Sequence, residues 1–194
     1  MSRVIYSMMV SLDGFVARPN GDLDWANVDE ELHTFANQQE RETGTILYGR
    51  RLYELMAAYW PTADLHPSAH AVEVEYARIW RDKPKIVFSK TLEQVAWNAT
   101  LMRDVVADEI TRLASQPGND LSLGGPDLAA SFMRLGLIDE FRPIVHPVVL
   151  GRGIPFWPKS DTTLRLRLVE TRTFASGVVY LRYQREDEEQ KNRQ

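Results

Sequence analysis

The chain reads as an α/β domain with a mainly parallel sheet, closed by antiparallel strands toward its C-terminus. Short apolar runs alternate with stretches of helical periodicity as far as Leu135. Beyond Leu135 strand-like segments dominate. Two of the early runs pass straight into glycines and then a helix, as a strand does when a crossover helix follows it in a parallel sheet.

Taken in order, residues 3–10 form an apolar strand. Asp13-Gly14 bends the chain, and Phe15-Val16-Ala17 resumes the run. Residues 18–22, RPNGD, are all turn formers or charged and make a loop. Leu32, Phe35, Ala36 and Gln39 stand at helical spacing, which predicts a helix over 29–40. Gly44 restarts the chain, and 45–48 is a short buried strand. Gly49-Arg50-Arg51 leads from it into a helix over 52–59, which stops near Pro61. Residues 62–68 read as loop and 69–80 as helix. KIVFS, 85–89, is another buried strand. A helix over 105–114 ends at Gln116-Pro117-Gly118-Asn119.

Leu121-Ser122-Leu123 is a strand that ends in Gly124-Gly125. Pro126 opens the next helix, over 127–135, and Gly136 caps it. Residues 138–149 read as a strand and Gly151-Arg152-Gly153 as a turn. Residues 164–172 and 178–184 alternate and join through Ser176-Gly177 as a hairpin. Residues 186–194 are charged and hold no apolar side chain, so they read as a disordered tail. One domain over 1–184 is expected, since no repeat or linker divides it.

Composition narrows the function classes. Net charge is −4 and no basic stripe is present, which argues against nucleic acid. There is no cysteine, so disulfides, thiolate catalysis and cysteine-based zinc sites are excluded. His66 and His70 are four apart, but Pro67 and the lack of a third ligand spoil a metal site, and none is expected. No apolar run is long enough to span a membrane, and the start of the chain lacks a signal-type cleavage region. The default expectation is a cytoplasmic protein.

Three predicted strand ends carry groups suited to a phosphate-bearing cofactor. Tyr48 is followed by Gly49-Arg50-Arg51, Phe88 by Ser89-Lys90-Thr91, and Leu123 by Gly124-Gly125. In open α/β sheets ligands bind beyond the carboxyl ends of the strands. Two glycines before a helix let the backbone approach an anion at the positive end of the helix dipole. Any one of these groups reads equally as a solvated side chain or a tight turn; all three together point to a dinucleotide with an extra ribose phosphate.

MVSLDGFVA, LYGRRLYE, VFSKTL, LSLGGPDLAASFMRLGLIDEF and PVVLGRGIPFW together resemble the dihydrofolate reductase superfamily. The closer likeness is to the branch that includes the reductase domain of the bifunctional riboflavin-pathway deaminase-reductase. It runs from Arg3 to about Gln184, with the motifs in family order. The resemblance implies a three-layer fold around a mostly parallel eight-stranded sheet, with NADPH as hydride donor. It implies that Arg50, with Gly49 and Arg51 beside it, contacts the cofactor phosphates. Ser89 and Lys90 would meet the adenosine-ribose phosphate. Gly124, Gly125, Pro126, Asp127 and Leu128 would form the pyrophosphate turn, and Ala17 would lie against the nicotinamide. It also implies a cis bond between Gly124 and Gly125.

The substrate half of the likeness is thinner. Leu52 stands where dihydrofolate reductases carry threonine, and Phe15 where the riboflavin branch often has lysine. The deaminase domain of the bifunctional enzyme has no counterpart here. Asp29 and Glu30 are the candidates for a proton donor, and equally for first-turn charges that complement a helix dipole. Trp25 is the candidate wall of a substrate pocket, or a packing residue. The leading expectation is an NADPH-dependent reductase of a small pterin- or pyrimidine-like substrate. The alternatives are dihydrofolate reductase proper and a non-catalytic NADP-binding module on the same fold. Apolar residues in the late segments, Val148, Ile154, Phe156 and Trp157, lead to the expectation of a homodimer.

Overall fold

A computed structural model describes residues 2–186 of the chain. The residues are laid around β1 (Val4–Ser11), the apolar run near the start. After it come β2 (Phe15–Ala17), α1 (Glu30–Glu42), β3 (Thr45–Gly49) and α2 (Arg50–Tyr59). A 3-10 turn, Trp60–Leu65, leads to α3 (Ala71–Asp82), β4 (Lys85–Phe88) and β5 (Ala99–Met102). Then follow α4 (Ala107–Ser115), β6 (Leu121–Gly124) and α5 (Pro126–Arg134). The chain closes with β7 (Glu140–His146), β8 (Ile154–Pro155), β9 (Leu166–Thr173) and β10 (Val179–Arg185).

The main sheet has eight strands in the order β5-β4-β3-β6-β1-β7-β10-β9. Every pairing from β5 across to β7 is parallel. The β10 pairings with β7 and β9 are antiparallel. The predicted fold class is therefore the observed one. The parallel arrangement has a functional consequence, because Gly49, Phe88, Met102 and Gly124 all end their strands on one edge of the sheet.

Strand alternation divides the core into layers. Val4, Tyr6 and Val10 of β1 pack with Leu121 and Leu123 of β6 and with Ile110 and Phe132 from α4 and α5. On the opposite face Leu32 and Phe35 of α1 pack with Phe174, Val178, Tyr180 and Ile144. Ile46, Tyr48 and Val87 meet Trp80 of α3 on that face too. One buried charge ties the late hairpin to the sheet. Glu140 receives Arg3 at 2.8 Å, Arg142 at 2.5 Å and Arg182 at 2.8 Å. Burial alone would push its carboxyl up, but the hydrogen bond from Arg182 and the charge of Arg142 outweigh it and hold it below the usual range.

Several expectations change. β5 and β8 stand where no strand was read, and the 3-10 turn occupies part of the loop expected over 62–68. Arg50 already belongs to α2, so the helix starts directly at the strand end. Among the described residues no peptide bond is cis. The sharp turn after β6 is instead made by Gly125 at φ +100°, a conformation that side chains resist. Phe156 is not part of an exposed patch: it is buried and stacked on Tyr6 with ring centroids 4.3 Å apart. Of the tail read over 186–194, Glu186 donates its backbone N–H to Arg165, and the rest lies outside the described residues.

Candidate functional site

A groove of about 910 Å³ opens along the shared C-terminal edge of β3, β4, β5 and β6. Gly49 and Gly125 are the N-caps of α2 and α5, and neither helix start has a side-chain cap. Both helix N-termini thus offer unclaimed backbone N–H groups beside the groove. A Cβ on Gly49 would sit 3.5 Å from Leu128 Cβ, and one on Gly125 would sit 3.7 Å from Leu52 Cβ, so the two helix starts lie close together. Gly124 lies behind this floor. A Cβ there would come 2.8 Å from Leu52 Cδ2 and 3.2 Å from Tyr48 Cε1.

Charge is concentrated on the rim. Arg50, Arg51, Lys90, Arg103 and Arg134 line the groove, against Asp104 and Asp127. Arg51 lies 3.3 Å from Asp127, and Lys90 lies 2.9 Å from Asp104. Both pairs are exposed and weakly held, so either cation can turn to a ligand at small cost. Ser89 is buried at the end of β4, where its Oγ accepts the backbone N–H of Thr91 at 3.2 Å and of Leu92 at 3.0 Å. Its first role is to shape that turn. The other end of the groove is apolar, with Met8, Val16, Ala17, Leu23 and Ile154.

Ten of the anticipated cofactor residues thus meet at one groove: Ala17, Gly49, Arg50, Arg51, Ser89, Lys90, Gly125, Pro126, Asp127 and Leu128. Gly124 supports them from below. Asp29, Glu30 and Trp25 are not among the residues lining it. Asp29 is the N-cap of α1 and accepts the Leu32 backbone N–H at 2.9 Å. Glu30 is an exposed first-turn residue. The geometry gives both acids a helix-start role outside the groove. Trp25 is half-buried and meets His146 edge-on, with ring centroids 5.4 Å apart.

Arg103 is one residue that sequence reasoning missed. Its Nη1 donates to the carbonyls of Ser89, at 3.1 Å, and Leu92, at 2.5 Å, so it braces the turn after β4 while facing the groove. It directly follows β5, and the strand-end rule would have found it had that strand been read. Asp13, at the bend after β1, braces that turn. It accepts from Ser11 Oγ at 2.7 Å and from the backbone N–H groups of Leu150 and Gly151. The hydrogen bond from Ser11 is the main cause of its lowered carboxyl pKa. His70 caps α3, and among the described residues no group of three metal-ligating side chains forms. No described helix is long and apolar enough to cross a membrane.

The comparisons with known proteins agree with this architecture. The model of the RibD C-terminal domain matches residues 2–180. The chain is 39% identical to the uncharacterized protein YyaP of Bacillus subtilis (strain 168) over 184 residues, 93% of this chain and 94% of that one. A crystal structure from Shewanella sp. PV-4, whose name assigns it to riboflavin biosynthesis, superposes with a TM-score of 0.72. It is 21% identical, covering 95% of this chain and 99% of that one. Dihydrofolate reductase from Enterococcus faecalis, in complex with NADP(H) and RAB-propyl, superposes with a TM-score of 0.63. It is 16% identical, covering 95% of this chain and 97% of that one. Shared topology, the motif-bearing groove and a family match over nearly the whole chain lead to one assignment: the protein belongs to the RibD C-terminal domain family.

Proposed function

We propose that the groove binds NADPH and that the protein is a reductase of a small heterocyclic acceptor. The acceptor is of the pterin or pyrimidine type, as for 5-amino-6-(5-phosphoribosylamino)uracil reductase. One observation carries this reading. Five basic side chains and two acidic ones line a groove between two uncapped helix N-termini, on a chain whose net charge is −4. Such a local reversal of sign favours an anionic ligand. A groove of about 910 Å³ with an apolar end also suits a dinucleotide with a neutral ring.

The residues divide the work by position. The backbone N–H groups at the starts of α2 and α5 hold the pyrophosphate, and Gly125 keeps the turn free of a side chain. Lys90 and Arg103, flanking Ser89, take the extra ribose phosphate. Ala17, Val16 and Ile154 exclude water at the apolar end. Bound NADPH would supply a hydride to the acceptor. Among the described residues no acid lines that apolar end, so the proton comes from water. We further infer that the protein works as a homodimer.

Calorimetric titration with NADPH and NADH tests the reading. NADPH should bind at least ten-fold more tightly, which is about 1.4 kcal/mol. Lys90→Ala should remove most of that preference. Equal affinities for the two cofactors in the unaltered protein would reject the assignment.

A further inference from the structure

The loop at the apolar end of the groove carries a reactive pair. Asn20 is the one asparagine of the chain that glycine follows. Both residues are exposed, and a Cβ on Gly21 would meet nothing within 4 Å. Glycine puts no side chain in the path of its own backbone nitrogen, so that nitrogen can reach the preceding carboxamide. Asp13-Gly14 is the comparable acidic pair, also with an open glycine. There the carboxylate accepts from Ser11 Oγ and from the N–H groups of Leu150 and Gly151, which keeps it ionised and resistant to attack. The carboxamide of Asn20 is neutral and has no such protection.

The turn acts on Asn20 in two directions. Oδ1 of Asn20 accepts the backbone N–H of Asp22 at 3.2 Å, which polarises the side-chain carbonyl as a donor does in an oxyanion hole. One contact opposes the reaction. The Gly21 N–H is held by the Arg18 carbonyl at 2.9 Å, and a second backbone bond runs from the Arg18 N–H to the Asp22 carbonyl at 3.0 Å. Attack therefore waits for the turn to open. Gly21 and Leu23 line the groove, so a molecule lying against them favours the closed turn.

We propose that Asn20 is a site of spontaneous deamidation, and that its conversion opens the loop at the apolar end of the groove. The Gly21 nitrogen bonds to Asn20 Cγ. Its proton passes through solvent to the carboxamide nitrogen, whose bond to Cγ breaks, and ammonia leaves. A cyclic imide remains. Water opens it at either carbonyl, to aspartate or to isoaspartate, and no oxidant or partner is needed. In the unmodified protein Asn20 Nδ2 donates to the Asp22 carboxylate at 2.5 Å. Either product sets a new carboxylate beside Asp22, so an attraction becomes a repulsion. Isoaspartate also adds a methylene to the backbone of a turn held by two hydrogen bonds. Gly21 and Leu23 then leave the groove wall. That this weakens a cofactor rests on the reductase reading; that Asn20 reacts does not.

The full chain is aged in warm, mildly alkaline buffer, and its peptides are mapped by mass spectrometry over time. Asn27 is the internal control, since it is also exposed but precedes the branched Val28. Asn20 should convert at least ten-fold faster than Asn27. Saturating NADP+ should slow the conversion of Asn20 three-fold or more. Asn20→Asp supplies the charged product without ageing. Hydrogen exchange at its Gly21 amide, read by NMR, should be at least ten-fold faster than in the unaltered protein. Conversion of Asn20 no faster than that of Asn27, or unchanged Gly21 exchange in Asn20→Asp, overturns the proposal. So does NADP+ that binds by calorimetry and leaves the conversion rate unchanged. If NADP+ does not bind at all, the cofactor reading fails, and the conversion and exchange rates of the free proteins still decide this one.

Discussion

Leu52 joins the two turns that floor the groove, and it separates two glycines that look equivalent in the sequence. Gly124 is small because Leu52 and the ring of Tyr48 press on it, and Tyr48 is itself held by Trp80 Nε1 at 3.2 Å. Gly125 has room for a methyl group but sits at φ +100°. Gly125→Ala should therefore cost about 1–3 kcal/mol in the cofactor-free protein. Urea unfolding without cofactor measures this, and unchanged stability would remove the strain argument. The pair was legible as a site of close backbone approach; which glycine serves packing and which the turn was not, because Leu52 comes from another element. His146 allows a second test at this scale. Burial pushes its imidazole below the ordinary value of 6.5, so the folded protein resists a proton that the unfolded chain accepts. The contribution is neutral above that pH, and stability is lost as pH falls below it, by up to about 1.4 kcal/mol per pH unit. The difference between the protein and its His146→Gln variant should shrink between about pH 7 and pH 5.5. A parallel loss in both proteins would mean that other groups carry the acid sensitivity.

Among the elements, those that form the groove were read best, because each combines an apolar run with a glycine or basic residue at its end. β3, β4 and β6 are of this kind. β5 escaped notice because its four residues, Ala99–Met102, are half-exposed or exposed and follow two residues of positive φ, Trp97 and Asn98. Missing it also hid Arg103. The β2–β8 pair was missed for a different reason: β8 is two residues long and has no periodicity to read. Yet this pair sets the apolar end of the groove, since Ala17 pairs with Ile154 and both line it. Gly153 allows that pairing. A Cβ there would stand 2.2 Å from the Ala17 carbonyl oxygen and 3.0 Å from Phe15 Cβ. The first obstacle is backbone and cannot rotate away. Gly153→Ala should force β2 and β8 apart, lower the melting temperature and weaken NADPH ten-fold or more. Gly151→Ala, where nothing lies within 4 Å but φ is +74°, should cost stability alone. Normal NADPH affinity in Gly153→Ala would show that the small sheet does not shape the site.

Across the whole molecule, the order of strands and helices carried the fold class, and the order of motifs carried the family. The contact between Trp25 and His146 was not legible in the same way. Trp25 was singled out from its place after a turn-rich loop, but His146 meets it only through the β1–β7 register. Assembly follows from how the sheet ends. β9 is an outer strand whose last seven residues are all exposed, Leu168 and Val169 among them. Leu164 and Trp157 are also exposed, at 42% and 40%. An outer strand with free N–H and C=O groups and apolar side chains is a template for pairing with another chain. Arg167, Glu170 and Arg172 restrict that pairing to a partner with matching charges, and a second copy related by a twofold axis offers the same residues in reverse order. The expected result from light scattering at micromolar concentration is the mass of two chains. Leu168→Asp places a charge on the exposed strand without touching the core, so it should yield a folded single chain that still binds NADPH. A single-chain mass for the unaltered protein would reject the dimer. A dimer that persists in Leu168→Asp would move the interface away from β9.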